Sequence, residues 1–190
     1  MLSEKQFRER AKTELRQIGD QLLGLATDRD VYWKFEREIV ENNPRLKSAR
    51  SAYLDMVRAS YAEAMAARVL RLLDGNSGPS LPQILNTLAQ HEQLLRDKIS
   101  EREFTDDCAA LQQASVRLQR VMVPHNAHHE RTPSALASLH KELDAALDLM
   151  IETVKTYYWI VADGYLQLDV KYAEYPLSIF EFAWAKPVLA

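Results

Sequence analysis

Apolar residues recur at steps of three and four along most of the chain, which is the period of an amphipathic helix. Phe7, Ala11, Leu15, Ile18, Leu22 and Leu25 predict a first helix over residues 3–25, with Ser3 and Gln6 at the spacing of a capping box. Thr27 predicts the cap of a second, shorter helix carrying Val31, Phe35 and Ile39, with Tyr32 and Trp33 at its start. Asn42-Asn43-Pro44 then breaks and restarts the chain. A long helix follows over 45–74, with Leu46, Ala49, Tyr53, Met56, Ser60, Ala64, Val69 and Leu72 as its inward stripe.

Ser80 caps the next segment, where Leu81, Ile84, Leu85, Leu88 and Leu95 share a face with His91. His91 reads as an edge-of-core side chain. Residues 96–104 are highly charged and fit either a helical extension or a loop. Thr105-Asp106-Asp107 is a start signal, because acidic residues suit the positive end of a helix. That helix carries Cys108, Leu111, Ser115, Leu118 and Met122 inward and ends or turns at Pro124. Thr132-Pro133 opens a second long helix that keeps its period from Leu136 through Leu143, Leu147, Met150, Val154, Tyr157 and Val161 to Tyr165. His140 flanks this stripe and reads as structural, and Tyr157, Tyr158 and Trp159 as core or interface. After Asp169 the pattern fades into YPLSIFEFAWAKPVL, an aromatic arm that would lie against the body or a partner. No strand-rich region precedes it. The expected class is all-α, a bundle of about six helices with two of them long, forming one domain over 1–170 and an arm over 171–190.

Composition narrows the functions. Of 190 residues, 47% are hydrophobic, enough for an ordered core. A net charge of −3 gives no surface suited to coating nucleic acid broadly. A local basic patch remains between Arg45 and Arg71. The single cysteine, Cys108, cannot form an internal disulfide, so a reducing compartment is expected, with Cys108 a small buried hydrophobe. The start, MLSEKQFRER, lacks the apolar run of a signal peptide, and no stretch has the length of a membrane span. A soluble cytoplasmic protein without membrane attachment is the expectation. There is no Gly-rich phosphate loop and no Gly-x-Ser-x-Gly elbow, which argues against a nucleoside triphosphatase and an α/β-hydrolase.

The chemistry concentrates in Arg117 to Pro133, RLQRVMVPHNAHHERTP, which holds His125, His128 and His129, preceded by Arg117 and Arg120 and followed by Arg131. Histidine transfers protons near neutral pH, and arginine grips two phosphate oxygens with one planar fork. Together they suit cleavage of RNA. The 2′-hydroxyl is already held near the phosphorus, so no metal is needed.

The chain resembles the HEPN superfamily, in particular its abortive-infection U-type branch. The resemblance spans roughly residues 30–170. It rests on the order of VYWKFEREIVENNP, RVLRLLD, SLPQILNTL and NAHHERTP between long helices. It implies a helical bundle, commonly a homodimer. It further implies a metal-independent RNase of toxin or phage-defence type, with RNA as substrate, an antitoxin protein as partner and no cofactor. On that pattern Arg120 binds the scissile phosphate, His125 or His128 acts as base or acid, and Asn126 orients them. Arg117, His129 and Arg131 hold the substrate. Arg120 and His125 match the motif of an Arg and a His four residues between, with Val121 where a polar residue is usual. Ala127-His128 matches the Ala-His step of the branch and gives a second register.

Other readings stay open. One is a catalytically silent HEPN-like module that binds RNA, a nucleotide or a protein. Another is a metal site at the three histidines, although helical bundles draw their ligands from several helices as Glu-x-x-His pairs, and none occurs here. No metal ligands are therefore assigned. The last is a solvated helix–helix turn. Arg68, Arg71 and Asp74 read as a salt-bridged helix end.

Overall fold

The computed structural model describes residues 3–43, 52–74, 79–91, 95, 98–126 and 133–168, without the side chains of 39, 52–53 and 123–126. Among the described residues there are five α-helices and no strand: α1 (Glu4–Lys34), α2 (Ala52–Leu73), α3 (Leu81–Ala89), α4 (Glu101–Asn126) and α5 (Pro133–Ala162). The all-α bundle agrees with the expectation, but with five helices in place of six.

The lost helix is the one expected after Thr27. α1 runs unbroken to Lys34 and continues into a π-helical segment, Phe35–Val40. The Thr27 hydroxyl bonds back to the Leu23 carbonyl at 2.8 Å, as helix-interior threonines do, and caps nothing. At the other end Ser3 and Gln6 form the capping box. α4 also starts earlier than expected. Ser100 accepts from the Glu103 amide at 3.2 Å, and Glu103 Oε2 accepts from the Ser100 amide at 2.9 Å. This capping box sets the start at Glu101, and the Thr105 hydroxyl bonds back to the Glu101 carbonyl. α4 does not end at Pro124. It runs to Asn126. Proline has no N–H, so the Arg120 carbonyl loses its helical donor.

Hydrogen bonds and ion pairs set the directions. Arg8 meets Asp163 and Arg29 meets Asp148, so α5 is antiparallel to α1. Asp107 meets Tyr157 and Arg117 meets Glu142, so it is antiparallel to α4 as well. Arg58 meets Glu36 and Arg68 meets Asp28, so α2 is antiparallel to α1. α5 is the central helix, packed on α1, α2 and α4. Of its expected stripe Leu143, Leu147, Met150, Val154, Tyr157 and Val161 are buried, joined by Leu139, while Leu136 is only partly buried. These side chains meet Leu15, Ile18 and Leu22 of α1 and Leu111 and Leu118 of α4 in one core. Each fully buried leucine contributes about 1.5–3 kcal/mol.

The phase expected for α2 is wrong in its first half. Met56 is 52% exposed, and Ser60 and Ala64 also face outward; the buried set is Leu54, Ala59, Ala62, Met65, Ala66, Val69, Leu72 and Leu73. Alanines occur around most of this helix, so apolar spacing alone does not fix its face. Small side chains at 59, 62 and 66 let neighbouring helices approach closely. α3 follows its prediction, with Ser80 Oγ accepting from the Gln83 amide and Leu81, Ile84, Leu85 and Leu88 buried. His91 stacks on Phe7 with ring centroids 3.6 Å apart.

α5 ends at Ala162, short of Tyr165, which is 88% exposed. Asp163 takes a left-handed φ of 50° and is paired with Lys98 and Arg8. Beyond it, Leu166 and Leu168 pack over Gly19, where a β-carbon would lie 2.7 Å from Leu166 Cδ2. The aromatic arm expected over 171–190 lies outside the described residues.

Candidate functional site

The arginine corner is described only on its α4 side. Arg117 and Arg120 are both exposed. Arg117 Nε lies 3.3 Å from Glu142 of α5. Arg120 makes no ion pair or hydrogen bond among the described residues, so its guanidinium fork is free for an anion there. The backbone of His125 and Asn126 is helical, and their side chains lie outside the described residues, as do His128, His129 and Arg131 entirely. The structure thus brings Arg117 and Arg120 to one exposed side of α4 and places α5 at Pro133, just after the histidine segment.

A second constellation lies between the C-terminal end of α1 and the N-terminal parts of α2 and α5. It is a cleft of about 770 Å³. On α5 its lining is Pro133, Leu136, Ala137, His140, Lys141 and Asp144, one helical stripe. Glu142 is not on that stripe, so the arginine corner and the cleft occupy different sides of α5.

The cleft's polar groups are braced across helices. Glu36, only 8% exposed, receives Arg58 through Nε at 2.7 Å and Nη2 at 2.8 Å. Both carboxylate oxygens are engaged, which a buried ion pair requires if its desolvation is to be offset. The π-helical segment presents Glu36 here, with the Glu41 amide bonding the Glu36 carbonyl at 2.9 Å. The Tyr32 hydroxyl and His140 Nε2 share a hydrogen bond of 3.1 Å. Tyr32 stacks on Tyr61 at 3.8 Å with an interplanar angle of 2°, and on His140 at 5.0 Å. The Trp33 indole N–H donates to Asp144 Oδ2 at 3.1 Å.

Burial pushes the Tyr32 hydroxyl far above the ordinary tyrosine range, with Glu36 adding to the shift. Burial does the same to Tyr61, with Asp144 adding to it. Both phenols are therefore neutral donors or acceptors, never phenolates, at any ordinary pH. Burial also raises the Asp144 carboxyl, opposed by Arg29 and by the Trp33 hydrogen bond.

Sequence reasoning named none of these as a site. It marked Tyr32 and Trp33 as adjacent aromatics and His140 as structural, and the buried stack bears out the latter. The partners of Trp33 and Tyr32 lie 111 and 108 residues away, and no local spacing announces such pairs. In the basic stretch Arg58, Arg68 and Arg71 are engaged by Glu36, Asp28 and Gln21. Arg68 and Arg71 thus bridge to α1. Arg45, Lys47 and Arg50 lie outside the described residues. Cys108 is half-buried against the core, and burial raises its thiol, as suits a packing residue more than a nucleophile.

Among the described residues no group of three or more His, Cys, Asp and Glu side chains is placed to hold a metal ion, and no helix is long and apolar enough to cross a membrane. Comparison with protein families, curated proteins and solved structures finds no match to the chain.

Proposed function

We propose that this chain is a HEPN-like protein that binds RNA where α4 gives way to α5 and cleaves it without a metal. The observation that carries this is Arg120: an exposed guanidinium with no ion pair among the described residues, on the helix that leads into His125, Asn126 and His128. In this reading Arg120 holds the scissile phosphate and neutralises charge that builds on it. A histidine removes the 2′-hydroxyl proton, and a second proton transfer frees the 5′-oxygen. Asn126 orients these groups, and Arg117, His129 and Arg131 extend the grip along the strand. In a homodimer two such corners would face each other across one cleft.

A catalytically silent RNA- or protein-binding module is the second reading. Arg117 favours it, since Glu142 partly neutralises the neighbouring cation. The test is cleavage of mixed labelled RNA in EDTA by the purified protein beside Arg120→Ala, His125→Ala and His128→Ala. Metal-free cleavage that vanishes in Arg120→Ala supports the RNase, and whichever histidine variant is dead identifies the register. A folded protein that binds RNA but never cuts it supports the silent module. Activity that EDTA removes and zinc restores overturns the metal-free mechanism.

A further inference from the structure

The cleft beside α1, α2 and α5 has no role in the RNase reading, and it is built like a ligand site. Its volume, about 770 Å³, lies in the range of small-molecule pockets. Its walls are mostly apolar, from Trp33, Met56, Ala59, Leu136 and Ala137. Met56 is 52% exposed there and offers a flexible apolar surface to the cleft. The braced polar groups Tyr32, Glu36, Arg58, His140 and Asp144 come from three elements. One is carried by a π-helical segment, a costly local geometry found frequently at functional sites.

The described lining carries three carboxylates, Glu36, Asp55 and Asp144, and two cations, Arg58 and Lys141. Arg58 is already engaged by both oxygens of Glu36, with Asp55 3.7 Å from its Nη1. Arg29, the cation nearest Asp144 on α1, pairs with Asp148 at 2.6 Å. Asp144 is left with the single Trp33 indole donor on Oδ2. A carboxylate accepts about four hydrogen bonds, so Asp144 keeps room for new donors in a half-buried place beside an aromatic wall. Such a group gains most from a charged donor, since charge-assisted hydrogen bonds strengthen where water is sparse. An anion would meet Asp144 and Asp55, with the exposed Lys141 as the one lining cation not already in an ion pair among the described residues.

We propose that this cleft binds a small organic cation, a protonated amine or amidine on a flat apolar body, with Asp144 as its anchor and Trp33 and Met56 against its body. The site is separate from the arginine corner and stands or falls independently of RNA cleavage.

The test is calorimetric titration of the full chain with benzamidine and phenethylamine, beside benzoate and inorganic phosphate as anionic counterparts. The expected result is saturable one-to-one binding of at least one cation and none of either anion. Asp144→Asn removes the charge and weakens that binding roughly tenfold or more, on the scale of a charge-assisted hydrogen bond. Ala137→Trp, at an exposed lining position, fills the cleft and abolishes it. The second variant decides the matter if the first does not fold. Absence of saturable binding by either cation overturns the proposal. So does cation binding that survives Ala137→Trp, and so does tighter binding of benzoate or phosphate.

Discussion

Two sides of α5 carry polar groups in opposite states. On the α1 side Glu36, Arg58, Tyr32, His140, Trp33 and Asp144 are held in hydrogen bonds that cross between helices. On the α4 side Arg117 has one exposed ion pair, and Arg120 has no partner among the described residues. The first arrangement is preorganised and half-dry, and it suits a small ligand whose shape must be matched. The second is wet and adjustable, and it suits a polyanion whose charge matters more than its shape. The contrast places more of the cross-helix bracing beside the cleft than at the corner.

Substitutions test that contrast. The largest effect is expected from Glu36→Ala, which strands Arg58 in a half-buried place. Breaking a buried pair costs about 3–5 kcal/mol, discounted toward about 3 because Arg58 is partly solvated, and urea unfolding measures it. Arg120→Ala should do the reverse. It should leave unfolding within about 0.5 kcal/mol of the parent, while RNA cleavage falls by about 10²–10³-fold, the scale of losing one donor to the developing charge. Equal damage to stability would make Arg120 a structural residue. Tyr32→Phe deletes the hydroxyl bonded to His140 and should cost about 1 kcal/mol. Arg117→Ala removes an exposed pair and should cost no more than about 0.5 kcal/mol.

The smallest effect concerns pH. The folded carboxyl of Asp144 is raised above its unfolded value, so the folded state binds the proton more tightly. Its contribution to stability is fully present below the ordinary carboxylate pKa and is lost as pH rises through the higher folded value. Asp144→Asn should flatten that stretch of the stability profile, and an unchanged profile would mean the group is better solvated than its burial implies.

The helices were legible where sequence carries strong local signals. Ser3, Ser80 and Pro133 mark true starts, and the leucine period of α5 gives its buried face. Errors arose where two local signals competed. Thr105-Asp106-Asp107 looks like a start, yet Ser100 with Glu103 captures both orphan amides five residues earlier. Thr27 looks like a cap, but the buried face of α1 continues beyond it, from Leu25 and Ala26 to Tyr32. The cleft was not legible at all. Its two sides lie more than a hundred residues apart, and each half alone is an ordinary amphipathic surface. The corner could be singled out in the sequence because its residues are contiguous. How they converge is not set by local spacing, since the segment between α4 and α5 lies outside the described residues.

The π-helical segment Phe35–Val40 gives the molecule a dependence on chain length. A wide turn accommodates more residues per turn than the 3.6 of an α-helix, so it works as an insertion held in place. Deleting one residue there would let ordinary helical spacing resume and swing Glu36 about 100° relative to the turns beyond it. The chain beyond Glu36 would then leave α1 in a different direction although no side chain had been substituted. The geometry of the cleft is thus recorded in a count of residues as much as in their identity. Variants of this chain that differ by a single insertion or deletion near position 36 would differ in what the cleft accepts, while the rest of the bundle stayed the same.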